Sequence, residues 1–246
     1  MSDSTNAVRT VEEIPEVSFQ PDSLGVFEAI RPAKDRLVHH PVWEQLGRGE
    51  FPLENYQKML LHFYPLVENF PKFMGLALAK TRTHLRGHDD TKNWLIGNIK
   101  VEQNHASWFQ DWAMGIGIEA SSLTHVRPAP AIDAIVNYLW SINERGSLAE
   151  SLAATNIGIE WATGEWSQNV VRGAETYFHG KWSEKARRRS MAWLRAHARY
   201  DDTHPYEAME LVTRCAKDDD DLQLAIRAAE RSLDFYAMGL DACLQA

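Results

Sequence analysis

Late in the chain, three side chains that can bind a metal ion follow one another at helical spacing. His197, Asp201 and His204, within HARYDDTHP, are separated by four and three residues. On a helix, at about 100° per residue, they would point within about 60° of one another. Two imidazoles and a carboxylate on one helix face can ligate a metal ion, so the spacing predicts a metal site. Because the chain contains ten histidines, a chance pattern or a buried polar network is the alternative.

Two further segments carry metal-binding side chains among apolar neighbours. In IKVEQNHASWF, Glu102 and His105 are three residues apart on an otherwise apolar helix face. Such Glu-x-x-His pairs bind dinuclear metal centres in helical bundles. In NIGIEWATGEWS, Glu160 has isoleucine and tryptophan neighbours, among which an unpaired carboxylate would be costly. Glu165 lies about 140° further round that helix and is expected to face elsewhere.

Together these segments provide three carboxylates and three imidazoles. This set suits two adjacent iron ions, with Glu160 as the bridging carboxylate, and it fits the closed tetrahedral site of a structural zinc badly. Thiolate ligands are not expected, because Cys215 and Cys243 are the only cysteines in the sequence. The sequence therefore predicts a non-haem iron site built from histidine and acidic side chains.

Composition and charge limit the partners and the location of the protein. The formal net charge is −8 over 246 residues, which argues against nucleic acid or an anionic membrane as the main partner. No apolar run reaches the roughly 18–20 residues that span a bilayer. Residues 1–22 are polar and acidic and lack the apolar core of a secretory signal, so we predict that they form a flexible lead-in. The expected location is cytoplasmic.

Apolar residues recur at spacings of three and four almost throughout residues 23–246, which is the pattern of amphipathic helices. Alternating stretches of strand length are absent. The pattern predicts a single all-α domain, a helical bundle of seven to eight helices. Pro65 and Pro71 lie inside the second helix and are expected to bend it. The predicted helices cover about 25–47, 53–83, 88–116, 131–144, 147–178, 182–200, a seventh that begins after Pro205 or continues through it, and 219–244.

Three segments resemble the haem-oxygenase-like di-iron oxidases, which share a fold with the TenA and PqqC proteins: IKVEQNHASWF, AATNIGIEWATGEWS and RRRSMAWLRAHARYDDTHPYEAMEL. YPLVENF is a weaker fourth match, and the resemblance covers about residues 50–215. It implies a haem-oxygenase/TenA-like bundle that holds two Fe(II) ions and uses O2 as co-substrate. The iron ligands that it implies are Glu102, His105, Glu160, His197, Asp201 and His204.

Within that family, the segments are most similar to the fatty-acid decarboxylases of the UndA type. The resemblance implies oxidative decarboxylation of a medium-chain fatty acid to a terminal alkene and CO2. The expected partners are then a small-molecule carboxylate and an external electron donor, with a homodimer as an open alternative to a monomer. The side chains expected to line the substrate channel are Phe63, Tyr64 and Trp161, with Ile157, Ile159, Leu66, Phe70, Phe73 and Met74 as further candidates for an apolar tunnel.

Three other functions stay open at this point. The same ligand set could oxidise an amino acid or an amine. TenA-type proteins hydrolyse thiamin-related pyrimidines through a cysteine nucleophile, and Cys215 and Cys243 are the candidates, although both lie outside the segments that carry the histidine and acidic residues. The third alternative is a helical protein that binds iron without oxygen chemistry.

Overall fold

A computed structural model describes residues 21–178, 183–200 and 204–244, and within these ranges the chain forms helices and no strand. The all-α prediction is confirmed. The described ranges contain thirteen α-helices, more than the predicted seven or eight, because several predicted helices are interrupted. They are α1 (Pro21–Val38), α2 (Pro41–Arg48), α3 (Leu53–Ala79), α4 (His88–Glu102), α5 (His105–Gly115), α6 (Ala120–Thr124), α7 (Pro130–Arg145), α8 (Leu148–Leu152), α9 (Ala162–Ala174), α10 (Glu184–Ser190), α11 (Ala192–Tyr200), α12 (His204–Cys215) and α13 (Asp219–Leu244).

Two segments of other helical types join these elements. A π-helix covers Ala153–Trp161, between α8 and α9, and a 3-10 turn covers Glu175–Phe178 after α9. The predicted helix over 147–178 is therefore a run of four helical segments. The apolar period of the sequence correctly predicted helical structure over residues 147–178, but it did not predict the change from α-helix to π-helix and 3-10 turn within that range.

Prolines have opposite effects in the first three helices. The predicted helix over 25–47 ends at Val38, and α2 restarts at Pro41, where a missing N–H is harmless. His40 caps α2 because its Nδ1 accepts a hydrogen bond from the Val42 N–H at 3.3 Å. By contrast, α3 continues through both of its interior prolines. Beside the first of these prolines, the Pro65 carbonyl accepts a hydrogen bond from Asn69 Nδ2 at 2.7 Å.

Contacts between helices that are distant in sequence build the bundle. The π-helix packs against α13, α9 packs against α2 and α11, and α3 packs against α7, α4 and α5. A side chain at Gly158 would have its Cβ 2.9 Å from the Ser232 Cβ and 3.0 Å from the Ala229 carbonyl oxygen. Glycine at this position therefore allows the π-helix to lie directly against α13.

Two further predictions concern the bounds of the domain and the absence of a membrane-spanning helix. Residues 1–20 lie outside the described ranges, and α1 begins at Pro21, two residues before the predicted start of the domain at residue 23. The flexibility of residues 1–22 and the extent of the domain over 23–246 stay predictions. In the described residues, no helix combines the length and the apolar character needed to cross a membrane.

Candidate metal-binding site

One cavity in the middle of the bundle has walls that are apolar apart from a few side chains. Its non-atom space is about 590 Å³, part of which is open to solvent, and this lies within the range of pockets that bind small molecules. Four of the six predicted ligands contribute to its wall: Glu102, His105, Glu160 and His197. The other lining residues are Trp43, Met59, Leu60, Phe63, Leu66, Val67, Phe70, Phe109, Trp112, Ile159, Thr163, Trp166, Trp193 and Tyr236.

Glu102 and His105 lie on either side of a helix break. The predicted continuous helix over 88–116 is wrong here, because α4 ends at Glu102 and α5 begins at His105. The two intervening residues keep right-handed helical dihedral angles, so the pair still lies about one turn apart. Glu102 Oε2 approaches His105 Nδ1 to 2.5 Å, without the alignment of a hydrogen bond. Both side chains are largely buried, and the close pair of donor atoms has the character of two ligands of one cation.

His197 presents one nitrogen for ligation. Its Nδ1 lies 2.8 Å from the Trp193 carbonyl oxygen, one turn earlier in α11, and donates a hydrogen bond to it. Burial, reinforced by the neighbouring His105 ring, lowers the pKa of His197 well below its usual value, so the ring is neutral. The lone pair is then on Nε2, the tautomer found in metal-binding histidines whose other nitrogen is hydrogen-bonded. The His105 and His197 ring centroids are 4.7 Å apart.

Glu160 lies on the π-helix, near its C-terminal end, and is buried. π-Helical turns insert an extra residue into a helix and occur frequently at functional sites. Asn156, four residues earlier and also buried, donates a hydrogen bond from Nδ2 to Glu160 Oε1 at 3.2 Å. The same amide lies 3.3 Å from the Met74 sulfur. Asn156 is a positioning residue for the Glu160 carboxylate, and sequence reasoning missed it, although its i, i+4 spacing from Glu160 was a visible signal.

Replacing Asn156 with leucine is expected to weaken iron binding about 10- to 100-fold, because groups that orient metal ligands contribute by roughly that factor. The measurement is a competition titration of Fe(II) against a chelator. Asn143→Leu is the matched control: Asn143 is equally buried but donates to the Leu139 carbonyl and to Thr155 Oγ1. An Asn156→Leu protein with unchanged iron affinity would contradict the positioning role.

The remaining two predicted ligands are not among the described residues that line this cavity. Asp201 lies outside the described residues. His204 begins α12, and its ring is 6.3 Å from the Trp94 ring in an edge-to-face contact. His197 and His204 thus belong to separate described helices, whereas the spacing argument had placed both on one. Within residues 21–178, 183–200 and 204–244, no group of three or more His, Cys, Asp or Glu side chains is arranged so that it could hold a metal ion.

The three predicted channel residues have different positions. Phe63 lines the cavity. Tyr64 and Trp161 do not belong to its wall: the Tyr64 hydroxyl accepts a hydrogen bond from Gln110 Nε2 at 2.6 Å, and the Trp161 ring lies 4.7 Å below the Lys34 ammonium. Of the further tunnel candidates, three line the cavity (Ile159, Leu66 and Phe70) and three pack elsewhere in the core (Ile157, Phe73 and Met74).

Neither cysteine is placed for nucleophilic chemistry. Cys215 contacts Thr91 Oγ1 at 3.2 Å, and Cys243 donates to the Gly239 carbonyl at 3.3 Å. Both are buried, and neither lines the cavity. Burial raises the pKa of Cys243 to about 12 and also raises the pKa of Cys215. A thiol that stays protonated is a poor nucleophile.

Both thiols are therefore expected to react with iodoacetamide far more slowly in the folded protein than in the urea-unfolded chain at the same neutral pH. Mass spectrometry of the labelled peptides measures this. The unfolded chain serves as the control for intrinsic reactivity. Rapid labelling of either thiol in the folded protein would show that it is accessible as a thiolate, and the case against a cysteine nucleophile would fail.

Comparison with known proteins decides the family. Residues 57–237 match a family described as iron-containing redox enzymes. The chain belongs to this family. The histidine and glutamate side chains that line the cavity are of the chemical types that bind iron, since imidazoles and carboxylates are the ligands of non-haem iron sites. The unaligned approach of Glu102 Oε2 to His105 Nδ1 is the feature of the structure that supports this fit.

Similar proteins confirm the predicted haem-oxygenase/TenA-like fold of this chain. A TenA homologue from Pseudomonas syringae pv. tomato has a crystal structure that is 31% identical, with a TM-score of 0.86, over 97% of this chain and 99% of that one. A domain with a heme oxygenase-like fold from Shewanella denitrificans, 17% identical, has a TM-score of 0.74 over 91% and 92% of the two chains. The curated aminopyrimidine aminohydrolase of Halalkalibacterium halodurans is 22% identical over 161 residues, 64% of this chain and 70% of the relative.

Proposed function

We propose that the protein is a non-haem iron- and O2-dependent oxidase that decarboxylates a medium-chain fatty acid to a terminal alkene. The observation that carries the proposal is the composition of the cavity wall. Two imidazoles and two carboxylates contribute to it, and nearly all of the remaining wall is apolar. Such a wall suits a substrate with a long hydrocarbon chain and few polar groups.

Each polar side chain has a separate task in this proposal. His105 and His197 offer imidazole nitrogens to the metal, and Glu102 and Glu160 offer charge-neutralising oxygens. Asp201 and His204 complete the ligand set implied by the family resemblance. When bound, iron supplies the reduction of O2 and the oxidising power for the substrate. The aromatic and aliphatic wall excludes water and holds the chain of the substrate beside these donors.

The overall reaction defines what must enter the protein. Loss of a β-hydrogen and of CO2 from the acid yields two electrons, whereas the reduction of O2 to two molecules of water consumes four. An external donor therefore supplies the other two electrons, together with protons. This requirement agrees with the electron donor that the family resemblance implies.

The direct test mixes Fe(II)-loaded protein with lauric acid, O2 and ascorbate, and analyses the headspace for undecene by gas chromatography. The proposal expects undecene and CO2 in equal amounts. His197→Ala, which removes a donor from the cavity wall, serves as the inactive comparison. If no alkene forms while an amino acid or amine is consumed in a parallel screen, the substrate assignment is wrong and the oxidase assignment stands.

Hydrolysis of an aminopyrimidine is the second candidate, because the curated relative from Halalkalibacterium halodurans carries that activity in its name. A cysteine nucleophile is what TenA-type hydrolysis uses, and both cysteines of this chain lie away from the cavity. Release of ammonia from an aminopyrimidine by the metal-free protein, and its loss in Cys215→Ser or Cys243→Ser, would establish this candidate instead.

Chain-length preference gives a prediction about the cavity wall. Leu66→Phe is expected to lower turnover of the longest accepted fatty acid while turnover of shorter acids is retained, because the larger ring occupies space beside a wall position. Relative alkene yields from acids of increasing length measure the effect. Leu78→Phe, on the same helix but away from the cavity, is the control. An unchanged length profile in Leu66→Phe would place the chain of the substrate elsewhere.

A further inference from the structure

We infer that four aromatic residues, Trp193, Trp112, Tyr56 and Tyr177, form a route by which electrons pass from the protein surface to the cavity. We call this set the aromatic route. The inference rests on the proposed function, because that reaction needs two electrons from outside while the proposed ligands His105, Glu160 and His197 are buried. The indole and phenol side chains are among the protein groups most readily oxidised by one electron, and adjacent rings in contact can exchange electrons.

The inner half of the aromatic route begins at a proposed ligand. The Trp193 ring centroid lies 3.8 Å from that of His197, with 31° between the planes. Trp112 stacks on Trp193 with centroids 5.3 Å apart and 21° between the planes. Both tryptophans line the cavity. An electron on Trp112 therefore reaches the proposed ligand His197 through two ring contacts, first with Trp193 and then from Trp193 to the imidazole.

The outer half leads away from the cavity through hydrogen-bonded phenols. Trp112 Nε1 donates to the Tyr56 hydroxyl oxygen at 2.6 Å, and the rings are 6.0 Å apart. Tyr56 is fully buried and meets Tyr177 edge to face at 4.9 Å. Tyr177 is only partly buried, and its hydroxyl donates to the Phe51 carbonyl at 2.5 Å. The route therefore ends at a ring that reaches solvent.

A second stack of rings leaves Trp193 but does not reach the surface. Trp166 lies 5.8 Å from Trp193, and Trp43 is stacked on Trp166 at 3.9 Å with 4° between the planes. The next ring is Tyr236, 6.5 Å from Trp43. Trp43, Trp166 and Tyr236 are all buried. Of these two stacks, the aromatic route is the one that joins the candidate site to solvent.

The electron balance of one transfer is simple. Trp193 gives one electron to the oxidised site and regains it from Trp112, which regains it from Tyr56 and Tyr56 from Tyr177. Tyr177 thereby loses one electron, and its phenolic proton passes to solvent. A soluble one-electron reductant of the ascorbate class returns an electron, and a proton from water restores the phenol. Two such transfers supply the two external electrons of the proposed reaction.

Two variants interrupt the aromatic route without changing its packing. Tyr56→Phe and Tyr177→Phe keep the ring and remove the phenol, since a phenylalanine ring resists one-electron oxidation. Tyr138→Phe is the matched control, because Tyr138 is also partly buried and also donates to a backbone carbonyl, that of Ala228 at 3.1 Å, but lies outside the route. Thermal unfolding of each variant verifies that the fold is intact.

The first measurement uses Fe(II)-loaded protein mixed with O2 in the absence of substrate and reductant. Optical spectroscopy follows iron oxidation, and electron paramagnetic resonance of freeze-quenched samples detects a tyrosyl radical. We expect the tyrosyl radical in the unmodified protein and in Tyr138→Phe, and its loss in Tyr56→Phe, which lacks the first tyrosine of the aromatic route. Oxidised iron with no tyrosyl signal in the unmodified protein, or with a signal unchanged in Tyr56→Phe, would overturn the aromatic route and leave the proposed function standing.

The second measurement is independent of iron. Azide radicals from pulse radiolysis oxidise tryptophans of the metal-free full-length protein, and the conversion of tryptophyl to tyrosyl radicals is followed optically. The aromatic route predicts slower conversion in Tyr56→Phe than in Tyr138→Phe. Equal rates would refute it. Iron that is not oxidised by O2 in the first measurement would instead refute the proposed function, so the two failures are distinguishable.

Discussion

Glu160→Gln is expected to weaken Fe(II) binding by more than about 100-fold and to stop O2 consumption. The substitution preserves the size of the side chain but removes its charge, and loss of a ligand exceeds the roughly 10- to 100-fold effect of a group that only orients one. Glu160 is buried in the cavity wall on the π-helix, so no solvent-exposed carboxylate replaces it. Chelator competition and an oxygen electrode measure the two effects.

Glu165→Gln is the control for this prediction. Glu165 lies five residues later, but its carboxylate contacts the Lys34 ammonium at 2.5 and 2.6 Å, and Glu165 is not part of the cavity wall. Loss of this ion pair should leave iron affinity unchanged. If the two variants bind iron equally well, Glu160 is not a ligand and the proposed metal site must be abandoned.

Gly173→Ala is expected to destabilise the fold by about 3 kcal/mol, which corresponds to a fall in Tm of roughly 6–12 °C. A Cβ at Gly173 would lie 1.9 Å from the Leu46 carbonyl oxygen and 2.4 Å from that of Gly47. These are backbone atoms, so α2 and α9 would have to separate to admit one methyl group. Calorimetry or thermal circular dichroism measures the change.

Gly97→Ala is the control for Gly173→Ala, and it is expected to raise the stability of the fold. Gly97 is exposed within α4, and an added Cβ would meet no atom within 4 Å. Alanine in a helix interior is favoured over glycine by about 0.5–1 kcal/mol, so this variant should be slightly more stable. A Gly173→Ala protein as stable as Gly97→Ala would mean that α2 and α9 do not cross at this glycine.

Much of the fold could be predicted because the apolar period survives the interruptions between helices. The final helix, α13, begins and ends at the residues predicted from the sequence, Asp219 and Leu244. The breaks between consecutive helices were not predicted, because each depends on local side-chain contacts that leave the apolar period of the sequence unchanged. Gln103 and Asn104 retain helical dihedral angles at the break between α4 and α5, so the sequence pattern there is that of one helix.

The candidate site was predictable in part for the same reason. Glu102, His105 and His197 are marked by residue type and by apolar neighbours, and the structure brings them to one cavity. His204 illustrates what spacing cannot decide, because the angular argument assumes one continuous helix, whereas α11 ends at Tyr200 and α12 begins at His204. The inward orientation of Trp193 and Trp112 depends on tertiary packing, which no helical period specifies.

The π-helix over Ala153–Trp161 makes the chemistry of this protein sensitive to the number of residues in one short stretch of the polypeptide. A wide turn accommodates one residue beyond what an α-helix needs, so deleting a single residue within this stretch would restore ordinary winding and shift the side chains of the turn relative to the cavity. The surrounding bundle could survive such a deletion, because only one face of one helix changes. Relatives that share the bundle but differ by one residue here would therefore be expected to catalyse different reactions.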